Sequence, residues 1–320
     1  MEYWYGQEKN SIIEDRGSIM DITIHHQEKG NKEPFILSHR NKEKIGIVCC
    51  SNGQKKEYAD KIKLLENTLL SLGLQPVFSE YIYEKESVFS GTAQERAQAL
   101  MKFYLDKEIK GIFDISGGEI ANGVLPYLNY EVIAGSPKMF WGYSDLTTII
   151  NAIYTKKGKP SVLYQIRNLI YDYKDQQIVN FRNTFIEKGN DLFQLDYHFI
   201  QKTKMKGVVV GGNIRCFLKL AGTEYMPDLK DKILLLEAYG GTVPQMETYL
   251  CQLQHLGAFE KVAGILLGTF TKMEEEKCTP NMETLVQRMV GKDMPIAVTK
   301  DIGHGTDAKG IMIGQEMYFG

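Results

Sequence analysis

The sequence predicts an α/β protein built on a parallel sheet with helices on both faces. Three observations carry this: short apolar strands recur from Lys44 onward, helical patterns of roughly 10 to 15 residues separate them, and glycine-bearing turns close them. Ligands in such a fold bind at the carboxyl ends of the strands, so the turns there are where chemistry is expected.

Ile45–Cys50 reads as the first buried strand, closed by a Ser51-Asn52-Gly53 turn and followed by a helix from about Tyr58 to Leu72. Gln75–Phe78 is a second strand. A helix from about Thr92 to Lys107 precedes a third strand, Gly111–Ile115, which stops at Ser116-Gly117-Gly118; a helix then runs towards Tyr127. Lys138–Trp141 feeds a Gly142-Tyr143-Ser144-Asp145 turn, after which Leu146, Ile149, Ile150 and Ile153 form one apolar helical face. A charged and aromatic stretch holding Tyr171, Tyr173, Phe181, Phe185, Phe193 and Tyr197 reads as a connector. Gly207–Asn213 opens a second unit with buried strands at Lys232–Leu236 and Val262–Leu267 and a further strand from Met312. The expected division is an extension at 1–43, a nucleophile-bearing domain at 44–166, a connector at 167–204 and a second domain at 205–320.

Composition narrows the function classes. At 320 residues the chain is long enough for roughly two domains and a substantial core. A net charge of −2 with no basic stripe gives no footing for nucleic acid. The cysteines Cys49, Cys50, Cys216, Cys251 and Cys278 form no C-x-x-C pair and no zinc spacing, so reduced thiols are expected. No apolar run reaches the roughly 18 residues of a membrane helix, and a cytoplasmic setting without metal or cofactor is the expectation. His25-His26 in the extension lacks partner ligands.

The Gly-Tyr-Ser-Asp turn has two readings. A tight strand-to-helix turn pushes its apex side chain into a pocket, which makes Ser144 a candidate nucleophile with the N–H of Asp145 aimed at an oxyanion. Equally, Ser144 would serve as an ordinary helix cap. A nucleophilic serine needs a base and an acid that orients the base. Of six histidines, His304 alone sits in a glycine-flanked loop after an apolar segment; catalysis and ordinary loop decoration are both open to it. Glu237 follows four aliphatic residues to the mouth of a buried strand, where it is either a triad acid or half of a structural salt bridge. Gly117-Gly118 fits neither dinucleotide nor P-loop patterns and better suits a backbone oxyanion donor at Gly118.

Taken together, Ser116–Asn122, Gly142–Thr147, Gly211-Gly212-Asn213, Leu235-Leu236-Glu237 and Gly303-His304 resemble, in order and spacing, the LD-carboxypeptidase family of serine peptidases. The resemblance spans Lys44 to Gly320. It implies a Ser144, Glu237, His304 triad, oxyanion donors at Gly118 and Asp145, a Rossmann-like first domain, a smaller β-rich second domain and a homodimer. The Gly-Gly-x-x-x-Asn pattern at 117–122 and Gly222–Pro227 look more like the microcin C self-immunity branch than the murein branch. The chain departs from the family at Leu163–Arg167, where a Gly-Pro is usual. Substrates implied are the L,D bond of a muropeptide or the amide joining an aminoacyl group to a nucleotide. Glu119 is a candidate substrate contact; a connector aromatic over the pocket would suit adenine, and Arg167 a peptide carboxylate. A cysteine hydrolase using Cys50 and a non-catalytic binding protein are the competing classes.

Overall fold

A computed structural model of the protein describes residues 43–320. The extension with His25, His26 and His39 lies outside the described residues. The strands, in chain order, are β1 (Glu43–Val48), β2 (Leu74–Phe78), β3 (Ile109–Asp114), β4 (Phe140–Gly142), β5 (Ser161–Leu163) and β6 (His198–Gln201). They continue as β7 (Met205–Asn213), β8 (Lys232–Ala238), β9 (Gly264–Phe270), β10 (Ile296–Val298), β11 (Ile311–Ile313) and β12 (Glu316–Phe319). Helices α1 (Ala59–Ser71), α2 (Ala93–Leu105), α3 (Tyr130–Gly135), α4 (Thr147–Lys157), α5 (Lys174–Phe181), α6 (Ile214–Leu218) and α7 (Val243–His255) carry most of the crossovers.

Two six-stranded sheets result, ordered β11-β5-β4-β3-β1-β2 and β12-β7-β8-β9-β10-β6. Neighbours are parallel from β1 to β5 and from β7 to β10, as buried aliphatic runs joined by helices require. Antiparallel strands close the edges: β11 on β5, β12 on β7 and β6 on β10. The tail strand read from Met312 is thus two strands that part at Gly314, which takes the left-handed φ of +90°. One completes the first sheet and the other the second. The stretch read as a connector supplies β6, and its Phe181, Phe185 and Phe193 rings pack with Phe113 and Trp141 as an aromatic layer on the first sheet. These rings are therefore core.

Helix α4 is wedged between the sheets. The sequence suggests one apolar face, yet every residue from Thr147 to Ile153 is buried, because the second sheet covers the side that water would otherwise meet. Asn151 lets this happen. Its amide donates to the Gly211 carbonyl and accepts from the Gly211 N–H, at 2.8 and 2.9 Å. The glycine pair of the Gly211-Gly212-Asn213 motif makes room for the contact: a Cβ on Gly211 would fall 2.2 Å from the Leu235 carbonyl, and one on Gly212 would fall 2.8 Å from Thr147 Oγ1.

Candidate active site

Ser144 stands at the apex between β4 and α4 with φ of +55°, a left-handed conformation that a serine holds only when its surroundings enforce it. Enforcement comes from both sides. The Leu146 N–H donates to the Tyr143 carbonyl at 3.0 Å, closing the turn, and Gly142 has no Cβ because one would lie 2.7 Å from that of Leu146. A helix cap has extended backbone and bonds the first turn; Ser144 does neither, since its Oγ lies 3.2 Å from His304 Nε2.

His304 comes from the loop after β10. Gly303 permits the loop's close approach to β9, where a Cβ would clash with Thr269 Oγ1 at 1.7 Å. Thr269 N–H donates to the Ile302 carbonyl at 2.8 Å, and Lys309 holds Asp301 through both backbone and side chain. His304 Nδ1 lies 2.7 Å from Glu237 Oε2. Glu237 is the penultimate residue of β8 and is fully buried, a costly position for a carboxylate unless it is partnered. With the Nδ1 hydrogen directed to Glu237, Nε2 is left to accept from the Ser144 hydroxyl. The structure brings Ser144, His304 and Glu237 into one hydrogen-bonded row.

Tyr143 is the residue that sequence reasoning missed. Its hydroxyl donates to Glu237 Oε2 at 3.1 Å and lies 3.2 Å from His304 Nδ1, and its ring meets the imidazole edge-on at 4.7 Å between centroids. Burial, reinforced by the Glu237 charge, pushes the Tyr143 hydroxyl well above its ordinary value, so it stays a donor. Tyr239 covers another side of the imidazole at 5.2 Å. Neither is visible as a spacing; the only signal is that one precedes Ser144 and the other follows Glu237 by two.

Behind Ser144, the loop from Gly117 to Ala121 has its backbone groups taken up one by one. Gly117 C=O accepts from Asn52 N–H at 3.2 Å. Gly118 C=O accepts from Arg215 at 3.3 Å, and Glu119 N–H donates to Asn52 Oδ1 at 3.0 Å. Glu119 C=O accepts from Lys219 at 2.9 Å, Ile120 N–H approaches Ser51 Oγ at 3.4 Å, and Ala121 N–H donates to Asp145 Oδ2 at 2.8 Å. Among the described residues the N–H groups of Gly118 and Asp145 find no protein acceptor. Gly118 has φ of +133°, and a Cβ there would sit 2.1 Å from the Asn52 side chain.

The cavity holding Ser144 is lined by Gly117, Gln165, Arg167, Asn168, Tyr171 and Tyr239, together with Tyr143 and residues 303–306. Arg167, a buried cation, and Tyr171, an aromatic of the expected connector, both face it. Glu119 is not among its lining residues and is held instead by Arg215 and Lys219. Cys50 is fully buried and burial pushes its thiol far up, the reverse of what an attacking thiolate needs. Among the described residues no cluster of three or more His, Cys, Asp or Glu side chains could hold a metal ion, and no helix is long and apolar enough to cross a membrane.

The family model described as the LD-carboxypeptidase N-terminal domain matches residues 45–164, and that of the LD-carboxypeptidase C-terminal domain matches 206–319. The chain belongs to the LD-carboxypeptidase family. Relatives within this family lie on both sides of the substrate question. A putative carboxypeptidase of Treponema pallidum is 27% identical over 293 residues, covering 83% of this chain and 86% of its own length. A probable murein peptide carboxypeptidase of Bacillus subtilis is 25% identical over 301 residues, 88% and 92% of the two chains. The microcin C7 self-immunity protein MccF of Escherichia coli is 28% identical over 251 residues, 67% and 72%. A solved structure of MccF in complex with aspartyl sulfamoyl adenosine shares this fold, with a TM-score of 0.76 at 21% identity over 87% of this chain and 92% of that one.

Proposed function

We propose that this LD-carboxypeptidase family member is a serine hydrolase of amide bonds. Ser144 is the nucleophile, His304 the base, Glu237 the acid that orients it, and the Gly118 and Asp145 N–H groups form the oxyanion hole. The observation that carries the reading is the row Glu237, His304, Ser144 at 2.7 and 3.2 Å, ending on a serine in the left-handed conformation. His304 Nε2 takes the Ser144 proton as Oγ attacks the carbonyl, and the oxyanion meets two N–H groups that have no other acceptor among the described residues. The imidazolium then gives its proton to the leaving amine. Water attacks the acyl-enzyme with the same base, releasing the acid and restoring Ser144.

The substrate is an acylated amine, and the cavity that would receive it is lined by a cation, Arg167, whose Nε donates to Gln165 Oε1 at 3.0 Å and whose charge suits a carboxylate or phosphate on that substrate. Both candidates qualify: a muropeptide ending in a carboxylate, and an aminoacyl nucleotide, for which Tyr171 offers a stacking face. The sequence pattern at 117–122 and the MccF fold match lean to the second. Activity as a cytoplasmic homodimer, with no cofactor, completes the proposal. Mass spectrometry of products formed from an L,D-tetrapeptide and from an aspartyl sulfamoyl adenosine tests it: cleavage of either by the wild type and loss of at least about 10³-fold in Ser144→Ala is expected. Equal turnover by Ser144→Ala would refute the assignment.

A further inference from the structure

The two proposed oxyanion donors, Gly118 and Asp145, stand on different segments, and one side chain from the opposite half of the molecule bonds the Asp145 side chain and Glu119, the residue after Gly118. Lys219 lies just past α6, in the unit built on the second sheet. Its Nζ is 2.5 Å from Asp145 Oδ1, 2.9 Å from the Glu119 carbonyl and 3.4 Å from Glu119 Oε2. The other oxygen of Asp145 accepts from Ser51 Oγ at 2.7 Å and from the Ala121 N–H at 2.8 Å. The carboxylate of Asp145 is fully buried, and Lys219, itself 18% exposed at the side chain, is the cation that forms an ion pair with it.

We propose that Lys219 is a positioning residue that sets both oxyanion donors at once: through the Asp145 side chain it fixes the Asp145 peptide, and through the Glu119 carbonyl it fixes the loop that presents Gly118. This rests on the serine-hydrolase reading above. Lys219 touches neither Ser144 nor His304 and does not line the cavity. Its contribution is to the orientation of N–H groups, which shows in the rate of acylation and leaves ground-state binding unchanged. Arg215 assists from the same helix by holding the Gly118 carbonyl.

The test uses a fluorophosphonate probe and p-nitrophenyl acetate, neither of which requires the natural substrate. In Lys219→Cys the rate of probe labelling at Ser144 and the kcat for the ester fall about 10- to 100-fold while KM stays within about two-fold. Alkylating that cysteine with 2-bromoethylamine restores an ammonium at nearly the original reach. It returns most of the rate, whereas the same treatment of wild type, with Cys251 and Cys278 also exposed to reagent, does not raise it. Where Lys219→Cys folds poorly, Asp145→Asn/Lys219→Met removes both charges together and is expected to fold and remain slow. Labelling of either variant at the wild-type rate, or a folded Lys219→Cys that aminoethylation fails to rescue, overturns the proposal and leaves the serine assignment standing. A wild type that never labels at Ser144 overturns both.

Discussion

Ser144 and Tyr143 are adjacent in the chain and do opposite things with their surroundings. Ser144 is held in a backbone conformation it disfavours so that its hydroxyl meets His304, while Tyr143 buries its ring and spends its hydroxyl on Glu237. Elsewhere a buried hydroxyl has no such use. The Tyr104 hydroxyl is enclosed by the core around α2 and finds no hydrogen-bond partner among the described residues. Burial pushes it far above the ordinary tyrosine value. Tyr104→Phe is therefore expected to raise stability by about 1 kcal/mol at neutral pH, because an unpaired donor leaves the core. The sign at high pH follows from linkage. Below pH 10 both states of the wild type keep the proton; above it only the unfolded state releases it, so stability falls as pH rises, and the variant escapes that fall. Urea titrations at pH 7 and pH 10.5 check both parts: the gap between variant and wild type should widen with pH, and a narrowing gap contradicts the account.

At the scale of elements, helix α4 decides how the site is mounted. It begins three residues after Ser144, the proposed nucleophile, and is seated by Asn151 on both backbone groups of Gly211, so it belongs to one sheet by sequence and to both by packing. Asn151→Ala leaves a buried N–H and a buried C=O unpaired and is expected to cost about 3 kcal/mol, measured as a lower urea midpoint with an unchanged slope. The strand-to-helix alternation was legible from Ile45 to Trp141 because buried parallel strands are short aliphatic runs whose turns carry glycine, and Ser144, Glu237 and His304 could be picked out because each follows such a run. What the sequence hid is whatever depends on distant partners. The second buried face of α4 carries Thr147, Thr148 and Asn151, polar residues that read as solvent-facing until the second sheet is known to lie there. Glu119 looked free to meet a substrate, and only the fold brings Arg215 and Lys219 onto it. Strand β6 is an edge strand of four residues, too short to show a period against a polar background, and the break that parts β11 from β12 falls inside what reads as one tail strand.

Across the whole molecule, one apolar cluster runs from α2 and α4 through β7, β8 and β9 to β12, so the two sheets share a core. Unfolding in urea is expected to show a single transition, coincident by far-UV circular dichroism and by aromatic near-UV signals. Removing residues 311–320 strips an edge from each sheet and should lower that one midpoint rather than split it; two separated transitions in either protein would contradict the shared core. The same long-range construction bears on when the site comes into being. Ser144 precedes the histidine it bonds by 160 positions, and Glu237 and Lys219 fall between them. Chains are made from the amino end, so Ser144 is in place for 160 further residues of synthesis before the histidine it bonds exists. On the serine-hydrolase reading proposed above, competence to hydrolyse therefore waits for the loop after β10, and a chain stopped short of it holds Ser144 without its partner.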